Sequence, residues 1–245
     1  MSLKTTQRAA VSAALCLLLP VLDCAAATMN VSPVRVEIGP AERSAVVTLR
    51  NEGQADASLQ ADIRSWSQDE DGKDVLLASD DLLIVPRIFT VPAGGSQVVR
   101  IGKLVESGDD VQGTYRLIIT ELATEQGARE GSGISVRLRL SLPVFLEPKG
   151  GAEAAIEVVR TQVLDEQLEI VVKNAGNATE QVLGFRLDTA GGTREPDQEY
   201  PVGGYLLPGM ARRFTVALPA DTDVRAVTVL TNQTGAVQYV LPGNN

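Results

Sequence analysis

From Val34 to the end of the chain, short segments of alternating apolar and polar residues recur between glycine, proline, asparagine and aspartate. No stretch carries an apolar stripe at helical spacing, so the pattern predicts an all-β protein. In the first half the expected strands are Val34 to Ile38, Ser44 to Asn51, Ala57 to Trp66, Leu82 to Val85, Ser96 to Ile101, Tyr115 to Leu122 and Ile134 to Leu146. Turn chemistry separates them at Asn51-Glu52-Gly53, Asp71-Gly72, Pro92 to Gly95 and Gly127 to Gly133. Short strands at this spacing suggest an immunoglobulin-like β-sandwich. Pro148-Lys149-Gly150-Gly151 then breaks the pattern and a second set follows: Leu168 to Lys173, Gln181 to Leu187, Ala211 to Leu218 and Val224 to Leu230. We therefore expect two immunoglobulin-like sandwiches, residues 28–148 and 149–245.

The first 27 residues read as an export signal. Lys4 and Arg8 supply the positive start, Ala9 to Leu19 the apolar run, and Cys24-Ala25-Ala26-Ala27 a small-residue cleavage site. A lipid anchor on Cys24 competes with this reading, but Asp23 stands where such signals take a small neutral residue. No later stretch reaches the ~20 uninterrupted apolar residues that a spanning helix needs, so no membrane insertion is expected.

Composition narrows the chemistry. Loss of Lys4, Arg8 and Asp23 takes the net charge from −9 to −10, which argues against a nucleic-acid partner. The chain has no histidine, and both cysteines, Cys16 and Cys24, leave with the signal. Imidazole bases, thiolate nucleophiles and His/Cys metal sites are thereby missing, which leaves carboxylate chemistry, lysine chemistry or binding; of these we expect binding, with no enzyme, no cofactor and no metal. Stability must come from burial rather than from disulfides.

The most informative segment is 134–146. Ile134, Val136, Leu138, Leu140 and Leu142 alternate with Ser135, Arg137, Arg139 and Ser141. Such alternation ordinarily means one face in the strand's own core. The segment is, however, longer than the usual strand of about 5 or 6 residues, which predicts that part of it projects beyond its sheet.

Several runs carry a resemblance: Val34-Arg35-Val36, Val85-Pro86-Arg87-Ile88-Phe89 with Pro92, Val98-Val99-Arg100-Ile101, Tyr115-Arg116-Leu117, Thr120-Glu121-Leu122 and Leu138 to Pro148. In order, they resemble the first domain of the periplasmic pilus chaperones of the chaperone-usher pathway, the PapD-like superfamily. The second half is similar to that family's second domain through weaker motifs. The resemblance implies two sandwiches in a boomerang arrangement, located in the periplasm of a Gram-negative bacterium. It further implies a last strand of domain one donated to a pilus subunit that lacks its own, and delivery of that subunit to an outer-membrane usher. Ile134, Val136 and Leu138 match the inserting residues, with Leu140 extending the set. Three such side chains would contribute on the order of 5 to 9 kcal/mol before ordering costs. The loop from Gly127 to Gly133 is expected to order on binding.

The family also grips the subunit's terminal carboxylate with an Arg on the first strand and a Lys near the end of the donor strand. Arg35 matches the Arg, whereas Pro143 stands at the Lys position. Arg87 is the preferred substitute, ahead of Arg100 and Arg116, because a guanidinium can bind a carboxylate bidentately. An ordinary surface charge is the alternative for each. Arg137 and Arg139 would simply keep a sticky edge soluble. The chain lacks both the acidic, asparagine-containing signature of P-pilus-type members and the cysteine pair of the long-loop branch, so it is closer to the archaic, spore-coat-U-associated branch.

Other signals are discounted. Asp69 to Asp74 resembles a calcium loop, but the twelfth position holds Asp80 rather than Glu, and a solvated hairpin turn is expected. The adjacent acids Asp80-Asp81 and Asp109-Asp110 do not suit a glycosidase, and Trp66 and Phe89 are expected in the core. Asn177-Ala178-Thr179 fits a glycosylation pattern without meaning in a bacterium. The competing reading of the whole chain is an extracytoplasmic immunoglobulin-like binding or adhesion module. It predicts no exposed apolar donor edge. The chaperone reading predicts such an edge, and with it a homodimer that caps the edge in the free protein.

Overall fold

The structure is a computed structural model, and it describes residues 29–69, 71–108, 110–123, 137–164, 166–190, 192–194, 204–218 and 222–241. The export signal, Gly127 to Gly133, Ile134 and Val136 lie outside the described residues. Every regular element among the described residues is a strand, and none of them forms a helix long and apolar enough to cross a membrane.

The first half builds two facing sheets. One has the order β1 (Met29–Ser32), β3 (Ser44–Asn51), β8 (Ser96–Lys103), β6 (Leu82–Val85). The other runs β2 (Val36–Ile38), β10 (Arg139–Leu146), β9 (Gly113–Glu121), β4 (Ala57–Gln68), β5 (Asp74–Ala78), with β7 (Ile88–Val91) also pairing β4. The alternation read from the sequence places one face of each strand inside. Val47, Leu49, Val99, Ile101 and Ile84 from the first sheet meet Val36, Ile38, Leu59, Leu117, Ile119 and Val144 from the second, all essentially solvent-free. Phe89 belongs to this core, as expected. At its rim the Tyr115 hydroxyl donates to Asp81 Oδ2 at 2.9 Å; burial first, then that bond and the charge of Asp81, push its pKa up.

The second half repeats the plan with β11 (Ile156–Leu164), β12 (Gln167–Asn174) and β16 (Ala211–Ala217) against a sheet ordered β14 (Gly192–Arg194), β13 (Glu180–Thr189), β17 (Val224–Thr231), β18 (Ala236–Val240), with β15 (Gly204–Leu206) on β13. Leu168, Ile170, Val172, Phe185, Val227 and Val229 fill its core. No ladder joins these two sheets to the first two among the described residues. β4 and β5 are joined by a turn in which Asp69 Oδ1 accepts the N–H groups of Asp71 and Lys73 at 3.0 and 2.8 Å.

One expected boundary needs correction. The segment from Ile134 to Leu146 was read as a single strand, but its described part is a strand only from Arg139; Arg137 and Leu138 are not. The backbone reason lies at Leu138, whose N–H donates to the Glu121 side chain, Oε2 at 3.0 Å, rather than to a ladder carbonyl.

Candidate functional site

β10 is paired along its whole length on one side and along less than half of it on the other. Against β9 the register runs from Arg139↔Thr120 to Leu146↔Gly113, whereas β2 covers only Val144 to Leu146. Among the described residues, Arg139 to Pro143 therefore has an open flank. The hydrogen bonds fix which groups face it. Leu138 C=O accepts from Glu121 N–H at 2.9 Å on the β9 side, and Glu147 N–H donates to Ile38 C=O at 3.0 Å on the β2 side. Backbone groups alternate along a strand, so even-numbered residues point to β9 and odd-numbered ones to the open flank. The flank thus presents the N–H and carbonyl groups of Arg139 and Ser141, while the Pro143 carbonyl is taken up by Val36 N–H through the Val144↔Val36 pairing. Proline suits this place, because the donor it lacks would face no partner within the chain.

Side chains alternate in the same way. Leu142, Val144 and Leu146 enter the core, and Leu140 rests partly buried against it. Leu138, half-buried, follows at the end of the sandwich. Arg137 and Arg139 are exposed, as expected of charges beside an edge.

On the outer face of the same sheet, register brings cations together. Pro143 lies opposite Arg116 on β9, which lies opposite Arg64 on β4. Arg35 directly precedes Val36, the β2 partner of Val144, and so stands on the other side of Pro143. Neighbouring strands are about 4.8 Å apart, so Arg35 and Arg116 flank Pro143 across roughly 10 Å of sheet.

The floor beneath these cations comes from both domains. Trp66, Phe145 and Leu207 form a buried cluster, with Tyr205 and Met210 packed against it. The Tyr205 ring meets Trp66 edge-on at 5.3 Å. Arg35 Cζ lies 4.2 Å from the Phe145 ring centre, and Arg116 Cζ lies 3.7 Å from that of Trp66 and 5.2 Å from that of Tyr205. Such contacts stabilise a guanidinium by about 0.5 to 2 kcal/mol while leaving its N–H edges open. Trp66 is buried as expected, but between the domains rather than within one sandwich. Burial lowers the pKa of Arg116, countered by the charges of Asp74 and Tyr205, and the group stays a cation at neutral pH. Burial likewise raises that of Glu147, against its bond from Gln112, with Glu37 adding to the rise and Arg35 opposing it.

Polar clips hold the two halves around this floor. The Gln68 side chain donates to Tyr205 C=O at 2.8 Å and accepts Leu207 N–H at 3.1 Å, as a strand backbone would. Gln112 donates to Glu147 Oε1 at 2.9 Å and accepts Thr179 N–H at 2.9 Å. Asn177, noted above only for a glycosylation pattern, donates to Asp110 C=O at 2.7 Å and Gly151 C=O at 2.9 Å. Gly72, at φ +76°, lets the β4–β5 hairpin approach the second domain: a Cβ there would stand 2.7 Å from Arg212 Cγ.

The other anchor candidates lie elsewhere. Arg87, 64% exposed, donates to Asp62 Oδ1 at 3.1 Å away from the aromatic floor. Arg100 sits on the opposite sheet and bonds Ser44 Oγ at 2.9 Å. Arg35 and Arg116, with 21% and 12% of their side chains exposed, are the candidates brought into the interdomain cleft. Phe145, Tyr205 and the register of Arg116 were not read from the sequence. No cluster of three potential metal ligands occurs among the described residues.

The sequence profile of the pili and flagellar-assembly chaperones, PapD N-terminal domain, matches residues 28–152. Solved structures with the same fold include a chain of the CsuC–CsuE chaperone–tip adhesion subunit pre-assembly complex from archaic chaperone-usher Csu pili of Acinetobacter baumannii. It is 22% identical with a TM-score of 0.66, over 88% of this chain and 97% of that one. Pseudomonas aeruginosa CupB2 chaperone is 15% identical over 87% and 100%, TM-score 0.57. The Salmonella enterica SafA pilin–SafB chaperone complex contains a chain 15% identical over 88% and 97%, also at 0.57. At these identities the likeness establishes the two-sandwich fold. No curated protein matches the sequence.

Proposed function

The chain belongs to the family of pili and flagellar-assembly chaperones, and from that premise we propose that it binds pilus subunits in the periplasm by lending them β10 as a missing strand. The observation that carries this reading is the open flank of Arg139 to Pro143, continuous with the alternating apolar side chains of Ile134, Val136, Leu138 and Leu140. An unpaired strand edge supplies backbone hydrogen bonds, and the alternate side chains fill a groove in the partner. The domain division we adopt is 28–148 and 149–245, after removal of residues 1–27 as an export signal. Delivery to an outer-membrane usher, and self-pairing of the open edge in the free chain, belong to the same proposal.

The subunit's terminal carboxylate is held in the cleft by Arg35 and by Arg116, which takes the place of the cation that Pro143 cannot supply. Arg116 is preferred to Arg87 because register sets it beside Arg35 and two rings hold it there. Charge-assisted bonds of this kind are each worth about 1.5 to 3 kcal/mol. Co-expression of the mature chain with a pilus subunit tests the reading. Arg35→Ala and Arg116→Ala should each reduce the soluble one-to-one complex by about tenfold or more, and Arg100→Ala should leave it unchanged. Equal losses for all three, or none for Arg35→Ala, would contradict the anchor.

A further inference from the structure

Each cleft guanidinium already holds an acid of its own chain. Glu37 Oε1, on β2 two residues along the chain, lies 2.6 Å from Arg35 Nε. Asp74 Oδ2, on the edge strand β5 beyond β4, lies 3.6 Å from Arg116 Nη2, an ion pair longer than a hydrogen bond. Neither contact is a two-pronged fork. Glu37 occupies the Nε edge with one oxygen, and its side chain is 52% exposed, so it can swing aside.

Resting on the carboxylate-anchor reading above, we propose that Glu37 and Asp74 are tethered competitors for the site, displaced when a subunit carboxylate binds and returning as it leaves. A mostly buried guanidinium without a counter-charge is costly. The internal acids remove that cost in the free chain, so an arriving carboxylate gains only the difference between its bidentate contacts and their weaker ones. Tethering keeps the competitor at a high effective concentration, so release never leaves a bare charge behind. The cleft then grips firmly enough to align a subunit and lets it go to the next acceptor. The acids set that balance.

Trp66 is the single tryptophan, and Arg116 lies on its ring, so its fluorescence reports on the site. The test is an acetate titration of the mature chain at ionic strength held constant with chloride, with acetamide as the neutral control. Glu37→Gln and Asp74→Asn should each lower the half-saturating acetate concentration by roughly two- to fivefold, the size of a partly exposed ion pair. Arg35→Ala should raise it. Wild-type midpoints in both acid variants, with Arg35→Ala still weakened, would overturn the competitor role and leave the anchor standing. An acetate response unchanged by Arg35→Ala would overturn the anchor, and this inference with it.

Discussion

Aspartate at both Val136 and Leu138 is expected to abolish recovery of soluble pilus subunit while leaving the chain itself folded. Each apolar side chain that enters a subunit groove contributes about 1.5 to 3 kcal/mol, and an unpaired carboxylate in its place adds a penalty of several more. Together the two changes remove well over 5 kcal/mol from binding, more than a thousandfold in affinity. The chain's own core loses little. Leu138 is only half-buried and precedes the strand, and the core positions of β10 begin at Leu142. Co-expression should therefore show at least a tenfold drop in soluble complex, with a melting temperature within a few degrees of wild type. Undiminished recovery of subunit by the double variant would rule out insertion at these positions.

The second large effect is on stability and sits far from the donor strand. Glu180 is fully buried, yet its carboxylate accepts Gln181 N–H at 2.8 Å, Gln233 N–H at 3.0 Å, Thr234 N–H at 2.6 Å and the Thr234 hydroxyl at 2.7 Å. It thereby ties the β17–β18 turn to the start of β13. Burial alone would raise its pKa, but the hydrogen bonds from Thr234, Gln181 and Gln233 outweigh that and hold it below the ordinary 4.5. Glu180→Gln turns an acceptor into a donor facing donors, at a cost of about 3 kcal/mol or more. For a domain of this size that is a fall in melting temperature of roughly 10 to 20 °C. The sign with pH follows from the lowered pKa: the contribution of Glu180 is complete above 4.5 and is lost as pH falls through the folded-state value. The gap between wild type and Glu180→Gln should accordingly be widest near neutrality and narrow in acid. A gap that widens on acidification would contradict this account of Glu180.

Much of the fold was legible because strands that bury one face alternate cleanly. Ser44 to Asn51 and Leu82 to Val85 were read with the bounds they have, and four strands of the second half were found within a few residues. The missed strands are short or peripheral. Met29–Ser32, Asp74–Ala78 and Ile156–Leu164 lie at sheet edges, where partial exposure blurs the alternation, and Ile88–Val91 is a four-residue bridge between prolines. The interdomain floor did leave a trace. Alternation along β10 gives way to the continuous apolar run Leu142-Pro143-Val144-Phe145-Leu146, the mark of a strand covered on both faces. Arg116 left none. Its neighbours in sequence are apolar, and only the pairing Pro143↔Arg116 sets it beside Arg35, which local pattern cannot specify.

Amide hydrogen exchange at the open flank tests the central claim most directly. In the free monomer the N–H groups of Arg139 and Ser141 face no strand, while those of Leu140 and Leu142 are tied to β9. Strand donation predicts that, in a purified complex with a pilus subunit, Arg139 and Ser141 gain about a hundredfold or more in protection while Leu140 and Leu142 change little. A stable complex in which Arg139 and Ser141 exchange as fast as in the free monomer would mean that the subunit is held elsewhere, and the donor-strand account would be wrong.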